Sequence, residues 1–272
     1  MPAFLQEDLL SLQQPALARV LLAVAAAVRA VSEYLRDGDK VSVSDTKSSN
    51  AFGDVQSNED LRTDEIFKQH LRICSDVETV ATEETPNCFH SGGSGFSVAL
   101  DPLDGSSVMS ANFAVGSIVG IWPGGELVGR TGRGAILMSS FITIRISPDR
   151  RLWPAEQAAA CYAVYGPRTV LVVATAGGRV KEYALRRGEW ERSRCDVRVA
   201  PEGTHVAPAN ARAAADNAPY RELLHTLLDE KATIRYSGAL VADVHHALTA
   251  GQGLFVCVPP PPPHTFLIAN RR

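Results

Sequence analysis

Two carboxylates on a proline-stiffened stretch, followed by a glycine and two hydroxyls, make Asp101-Pro102-Leu103-Asp104-Gly105-Ser106-Ser107 the segment best equipped for chemistry. Proline fixes φ and removes a donor, while glycine permits a sharp turn and a close approach to the backbone. Acidic oxygens suit hard divalent cations, and Mg²⁺ commonly joins one or two carboxylates to a substrate phosphate. Turn amides suit phosphate oxygens. One loop could therefore hold an ion and the phosphate it activates; an Asp-rich turn after a strand is the plainer alternative. Other acidic groups could join it. Asp60 and Asp64 are spaced to share a helix face, where two like charges are unfavourable unless a cation or water needs them, although acidic residues also suit a first helical turn. Glu83 and Glu84 precede Pro86; adjacent strand residues face opposite ways, so both converge only if the strand ends there. Of Asp243, His245 and His246, only Asp243 and His246 would share a helix face, too few ligands for a metal centre, so structural roles are expected.

The elements that must carry these groups can be read from periodicity. The run Gly95–Leu100 has the length and alternation of a short buried strand ending at Asp101. Phe4 to about Arg36 has helical spacing, as one helix or two, and residues 38–53 read as a polar loop. A second helix is expected from Asn58 to about Ile73, with Leu61, Ile66, Phe67 and Leu71 inward. Val77–Thr82 is a short apolar run, and Pro86–Ser94 reads as a flexible loop. Phe113–Trp122 and Thr169–Thr175 read as strands, the latter forming a hairpin with Arg179–Leu185. Pro219–Glu230 reads as a helix and Gly253–Val258 as a strand, followed by the polyproline run Pro259–Pro263. A soft domain boundary falls near residue 195, and residues 259–272 form a Pro-rich tail.

A net charge of −3 offers no electrostatic reason to bind nucleic acid or an anionic membrane. The cysteines (Cys74, Cys88, Cys161, Cys195, Cys257) are odd in number and lack a C-x-x-C, which suggests free thiols in a reducing compartment. Arg19 interrupts the apolar stretch 16–31, a poor membrane span, and Gln6-Glu7-Asp8 is no basic leader. A cytoplasmic location is expected, or a plastid one if a transit segment precedes the chain.

The segment Asp101–Ser107, with Asn112-Phe113-Ala114-Val115-Gly116 and Trp122-Pro123-Gly124 after it, resembles the fructose-1,6-bisphosphatase and sedoheptulose-1,7-bisphosphatase family. The Asn-Phe and Trp-Pro-Gly details are closer to the sedoheptulose branch. Tyr165-Gly166-Pro167-Arg168, Asn210 with its neighbours, and Ala232–His246 extend the resemblance to about Val258. It implies a layered α-β-α-β-α sandwich of the sugar bisphosphatase type with its C-terminal layer truncated: residues 1–195 as an N-terminal metal- and phosphate-binding domain with an insertion at 134–154, and 196–258 as a partial C-terminal sugar-phosphate domain. It also implies Mg²⁺-dependent hydrolysis of the 1-phosphate of sedoheptulose-1,7-bisphosphate or fructose-1,6-bisphosphate, in carbohydrate metabolism. Two or more Mg²⁺ ions, or Mn²⁺, would be held by Glu83, Glu84, Asp101, Asp104 and the Leu103 carbonyl, with Asp60 as an outer carboxylate. Asp64 or Glu84 would take the proton of water. Gly105, Ser106 and Ser107 would cradle the transferred group, and Asn210, Arg235 and Tyr236 the distal phosphate. Cys257, where fructose enzymes place a phosphate-binding tyrosine, points to the seven-carbon substrate. The family also implies a homo-oligomer (dimer or tetramer), and a glutamate beyond Val258 that completes the ion cluster. No plastid-type thiol switch is expected, because Val41–Ser49 lacks cysteine. Two alternatives stand beside this reading: an inositol-monophosphatase-type phosphatase, which usually has Thr after the Asp-Gly, and an inactive truncated paralogue.

Overall fold

The computed structural model describes residues 4–37, 48–49, 55–125, 127, 157–175, 180–198 and 203–257. The expected insertion at 134–154, the tail 259–272 and most of the loop 38–53 lie outside these.

The N-terminal run forms two helices, α1 (Leu5–Leu10) and α2 (Pro15–Arg36). Pro15 opens α2, where a missing N–H costs nothing. By length and composition α2 could cross a membrane. Its apolar stripe (Leu17, Val20, Leu21, Val24, Val28, Val31) is instead buried in the main core. A two-residue ladder, β1 (Ser48–Ser49) with β2 (Val55–Gln56), leads to α3 (Asn58–Arg72). There Ser57 and Asp60 form a reciprocal capping box that satisfies the first free amides.

One large sheet follows: β3 (Val77–Thr82), β4 (Thr85–His90), β5 (Phe96–Asp104), β6 (Val115–Pro123), β7 (Ala159–Tyr165), β8 (Thr169–Thr175), β9 (Lys181–Arg186) and β10 (Glu189–Cys195). A short α4 (Ser106–Met109) lies between β5 and β6. The spatial order is β10-β9-β8-β7-β6-β5-β3-β4. Every neighbouring pair is antiparallel except β3 and β5. That exception positions the site, because the parallel pairing ends with Thr82 opposite Leu100, just before Glu83 and Asp101. Beyond residue 203 come β11 (His205–Ala209), α5 (Ala218–Asp229), β12 (Thr233–Ile234), α6 (Leu240–Ala250) and β13 (Leu254–Cys257). The three strands form a parallel sheet ordered β12-β11-β13.

The layers are α-β-α-β-α. Helices α1 to α3 cover one face of the large sheet. On the other face Val241, Val244 and Leu248 of α6 pack on Ile118, Tyr162, Val164 and Val172, with Phe255 of the small sheet against the same cluster. Helix α5 meets the small sheet through Tyr220, which is buried and donates to the Ala209 carbonyl at 2.8 Å.

Three sequence expectations change. The segment expected as a loop, Pro86–Ser94, largely forms the strand β4. Its place at the sheet edge tolerates Pro86, which has no ladder N–H to give. Strand β5 does not stop at Leu100 but continues through Pro102 to Asp104, with a register irregularity between Asp101 and Asp104. Leu61, expected to face inward on α3, is instead exposed. The polar β10, for which no strand was expected, carries no alternation to read, since it is the opposite edge and only Trp190 is buried.

The α6 layer approaches so closely at β6 that a Cβ on Gly116 would overlap the Val241 side chain and the Ala163 carbonyl. Gly116→Ala should therefore destabilise the fold by about 2–4 kcal/mol through overpacking against backbone, measured by urea unfolding. A loss below about 0.5 kcal/mol, the level of a neutral surface change, would mean that α6 does not pack there as described.

Candidate active site

The parallel pairing of β3 with β5 brings two acidic segments to one sheet end. Thr82 lies opposite Leu100, and the Glu83 amide donates to the Leu100 carbonyl at 3.1 Å. Glu83 and Glu84 form the turn between β3 and β4, so neither is confined to a strand face. Asp101 lies in β5 where its register becomes irregular: its Oδ1 accepts from the Leu103 amide at 3.0 Å, and the Pro102 carbonyl accepts from Ser117 Oγ at 2.7 Å. These contacts hold the proline stretch against β6.

Asp104 is anchored differently. Its carboxylate accepts from the amides of Val241 (2.7 Å) and Leu240 (3.3 Å), the first residues of α6. The helix start favours negative charge, and free amides there are natural donors. Gly105 follows with φ of +88°, and a Cβ at that position would overlap Ala239. Only glycine lets α4, with Ser106 and Ser107 in its first turn, sit against the α6 entry.

The carboxylates perturb one another. Burial raises Asp101 well above the ordinary carboxylate range, and Glu83, Asp104 and Glu84 push it further. Burial also raises Asp104 to about 7, against the pull of the Val241 and Leu240 amides, with Glu83 and Asp243 adding to the rise. Four acidic groups that raise one another's affinity for a proton form a donor set that fits a hard divalent ion. As they stand, no three His, Cys, Asp or Glu side chains among the described residues are arranged to clasp one ion.

The other predicted residues divide into three groups. Asp64 is buried and bridged to Lys68 at 2.5 Å; Lys68 Nζ also donates to Thr85 Oγ1 at 2.6 Å, and Thr85 Oγ1 shares a hydrogen bond with Thr82. This chain ties α3 to the Glu83–Glu84 turn. Asp60 instead serves the capping box: its Oδ2 accepts from the Ser57 amide and hydroxyl at 2.7 and 2.8 Å. Asn210, Arg235 and Tyr236 follow the C-terminal ends of parallel strands β11 and β12, and so share one edge of the small sheet. Arg235 and Tyr236 are exposed. Their chain runs directly into the turn whose far end holds Asp104. Sequence reasoning missed Lys68, although its position four residues after Asp64 was a readable signal. The α6 amides on Asp104 leave no such trace.

The family profile "Fructose-1-6-bisphosphatase, N-terminal domain" matches residues 4–194, and the corresponding C-terminal domain profile matches 199–262. The chain belongs to this family. It is 35% identical to a chloroplastic sedoheptulose-1,7-bisphosphatase of Chlamydomonas reinhardtii, over 89% of this chain and 56% of that protein. It is also 33% identical to a class 1 fructose-1,6-bisphosphatase of Citrifermentans bemidjiense, over 88% of this chain and 66% of that one. Among solved structures, a Toxoplasma gondii protein assigned as a sedoheptulose-1,7-bisphosphatase superposes with a TM-score of 0.75 at 28% identity. That match covers 95% of this chain and 79% of the other. A Leishmania major fructose-1,6-bisphosphatase in holo form shares the fold at the same TM-score and 24% identity, over 91% and 76% of the two chains. The chain spans a little over half the length of the sedoheptulose relatives.

Two measurements test this electrostatic picture. A carboxyl raised by folding binds its proton more tightly folded than unfolded, so its contribution to stability is lost as pH rises from about 4 towards its folded value. In EDTA, the melting temperature of Asp101→Asn should exceed that of the parent at pH 7.5 and converge with it near pH 4; a constant difference would refute the crowding. Lys68→Met should cost about 3–5 kcal/mol by stranding the Asp64 charge. Adding Asp64→Asn should recover much of that loss in a double-mutant cycle, and strict additivity would refute the pairing.

Proposed function

We propose that this chain hydrolyses the 1-phosphate of a sugar bisphosphate in a divalent-metal-dependent reaction. The observation that carries the reading is the crowd of Asp101, Asp104, Glu83 and Glu84 beside the Gly105–Ser107 turn. Glu83, Glu84, Asp101 and Asp104 would hold Mg²⁺, with the Leu103 carbonyl helping and Asp60 in an outer role. The bound ions would acidify water and neutralise charge on the phosphate oxygens. Binding must draw the carboxylates into closer register than they have alone.

The chain's own groups supply the rest. Glu84, in the turn, or Asp64 would accept the water proton. Asp64 Oδ2 is engaged by Lys68, whereas Oδ1 is buried without a hydrogen-bond partner. Amides at the start of α4, with the Ser106 and Ser107 hydroxyls, would cradle the transferred group. Asn210, Arg235 and Tyr236 would hold the second phosphate, for which an Arg fork and a phenol hydroxyl are well matched. Positioning and electrostatics then provide the acceleration, and no covalent enzyme intermediate is required.

Similarity to sedoheptulose-1,7-bisphosphatases and fructose-1,6-bisphosphatases supports these two sugar bisphosphates as substrates. Cys257 at the end of β13 favours the seven-carbon sugar. Action in the cytoplasm as a homo-oligomer completes the proposal. The purified chain should release phosphate from either bisphosphate only when Mg²⁺ is added, and Asp104→Asn should lower the rate on the order of 10²–10³-fold. Release no faster than in that variant would favour an inactive member of the family.

A further inference from the structure

Asp243 is a carboxylate that the proposed chemistry leaves unused. It lies in the first turn of α6 and is only 6% exposed. Its Oδ1 accepts from the Ser237 amide at 2.9 Å, while Oδ2 is buried without a hydrogen-bond partner. A buried carboxylate with an unsatisfied oxygen is costly, so the contact it does make calls for a reason. Ser237 is the middle residue of the turn from β12 to α6. Its Oγ accepts from the Ala239 amide at 3.2 Å, closing the turn a second time.

The two ends of this turn have different proposed duties. Arg235 and Tyr236 stand at its start, at the edge assigned to the distal phosphate. The Leu240 and Val241 amides stand at its finish and hold Asp104. The shape of residues 235–239 therefore sets the span between the reacting phosphate and the second one. Asp243 fastens the middle of that span from beneath.

We propose that Asp243 is a positioning residue that fixes this turn, and that it thereby selects esters carrying a second phosphate at a set distance. The role rests on the bisphosphatase reading above. It touches neither substrate nor reacting atoms and acts on the turn through Ser237.

The test compares fructose-1,6-bisphosphate with p-nitrophenyl phosphate, a monoester with no second phosphate, on the full chain with Mg²⁺. Asp243→Ala should lower kcat/KM for the bisphosphate by about tenfold or more, chiefly through KM, as expected for a lost buried hydrogen bond. Turnover of the monoester should stay within about threefold, because Asp243 is the smallest of the influences named on Asp104 and the Leu240 and Val241 amides that hold it are not displaced. Asp243→Asn, which keeps an acceptor for the Ser237 amide, should restore most of the discrimination. Titration of the bisphosphate in EDTA should show the same loss of affinity without turnover. If Asp243→Ala does not fold by circular dichroism, Ser237→Gly loosens the same turn and should give the same split. Equal losses on both esters would overturn the positioning role and leave the phosphatase reading intact. No Mg²⁺-dependent turnover of either ester by the parent chain would overturn both.

Discussion

Two backbone amides at the start of α6 hold the carboxylate of Asp104, and the arrangement of the site follows from that contact. It joins the end of β5 in the large sheet to a helix that connects two strands of the small one. A helix start both offers unpaired donors and favours negative charge, so a buried acidic group can be kept in place there. The close seat of α6 on β6, with Gly116 beneath Val241, brings those amides within reach. The contact lowers the cost of burying Asp104 without removing it: the group still titrates near 7, because burial and its acidic neighbours oppose the amides.

The same tension runs through the whole acidic set. The end of the parallel β3–β5 pairing puts Glu83 next to Asp101, where like charges repel in a poorly solvated setting. A protein that maintains such an arrangement carries a standing electrostatic penalty, and a bound cation is the obvious relief. Stability and proposed function therefore pull against each other here, as they commonly do where a site is strained. In the neighbouring Asp64–Lys68–Thr85 chain the charge of Asp64 is matched by Lys68.

The residues themselves were legible in the linear chain. The Asp-Pro-Leu-Asp-Gly-Ser-Ser run offers acidic oxygens beside a glycine turn, and helix α3 lies where its periodicity placed it, to within a residue. The strand β4 and the edge strand β10 were not legible. Edge strands are half solvated and carry charges and proline, so the alternation that marks an inner strand is absent.

What the sequence by itself determined was the stock of chemistry and its local framing: which carboxylates exist, where glycine permits a turn, and which stretches can bury a face. Only the tertiary structure decided which of them meet. The one parallel pair in an otherwise antiparallel sheet, and the landing of α6 on Asp104, join residues up to 137 positions apart in the chain. Such contacts depend on packing between layers, whereas periodicity and turn chemistry report only on near neighbours along the backbone.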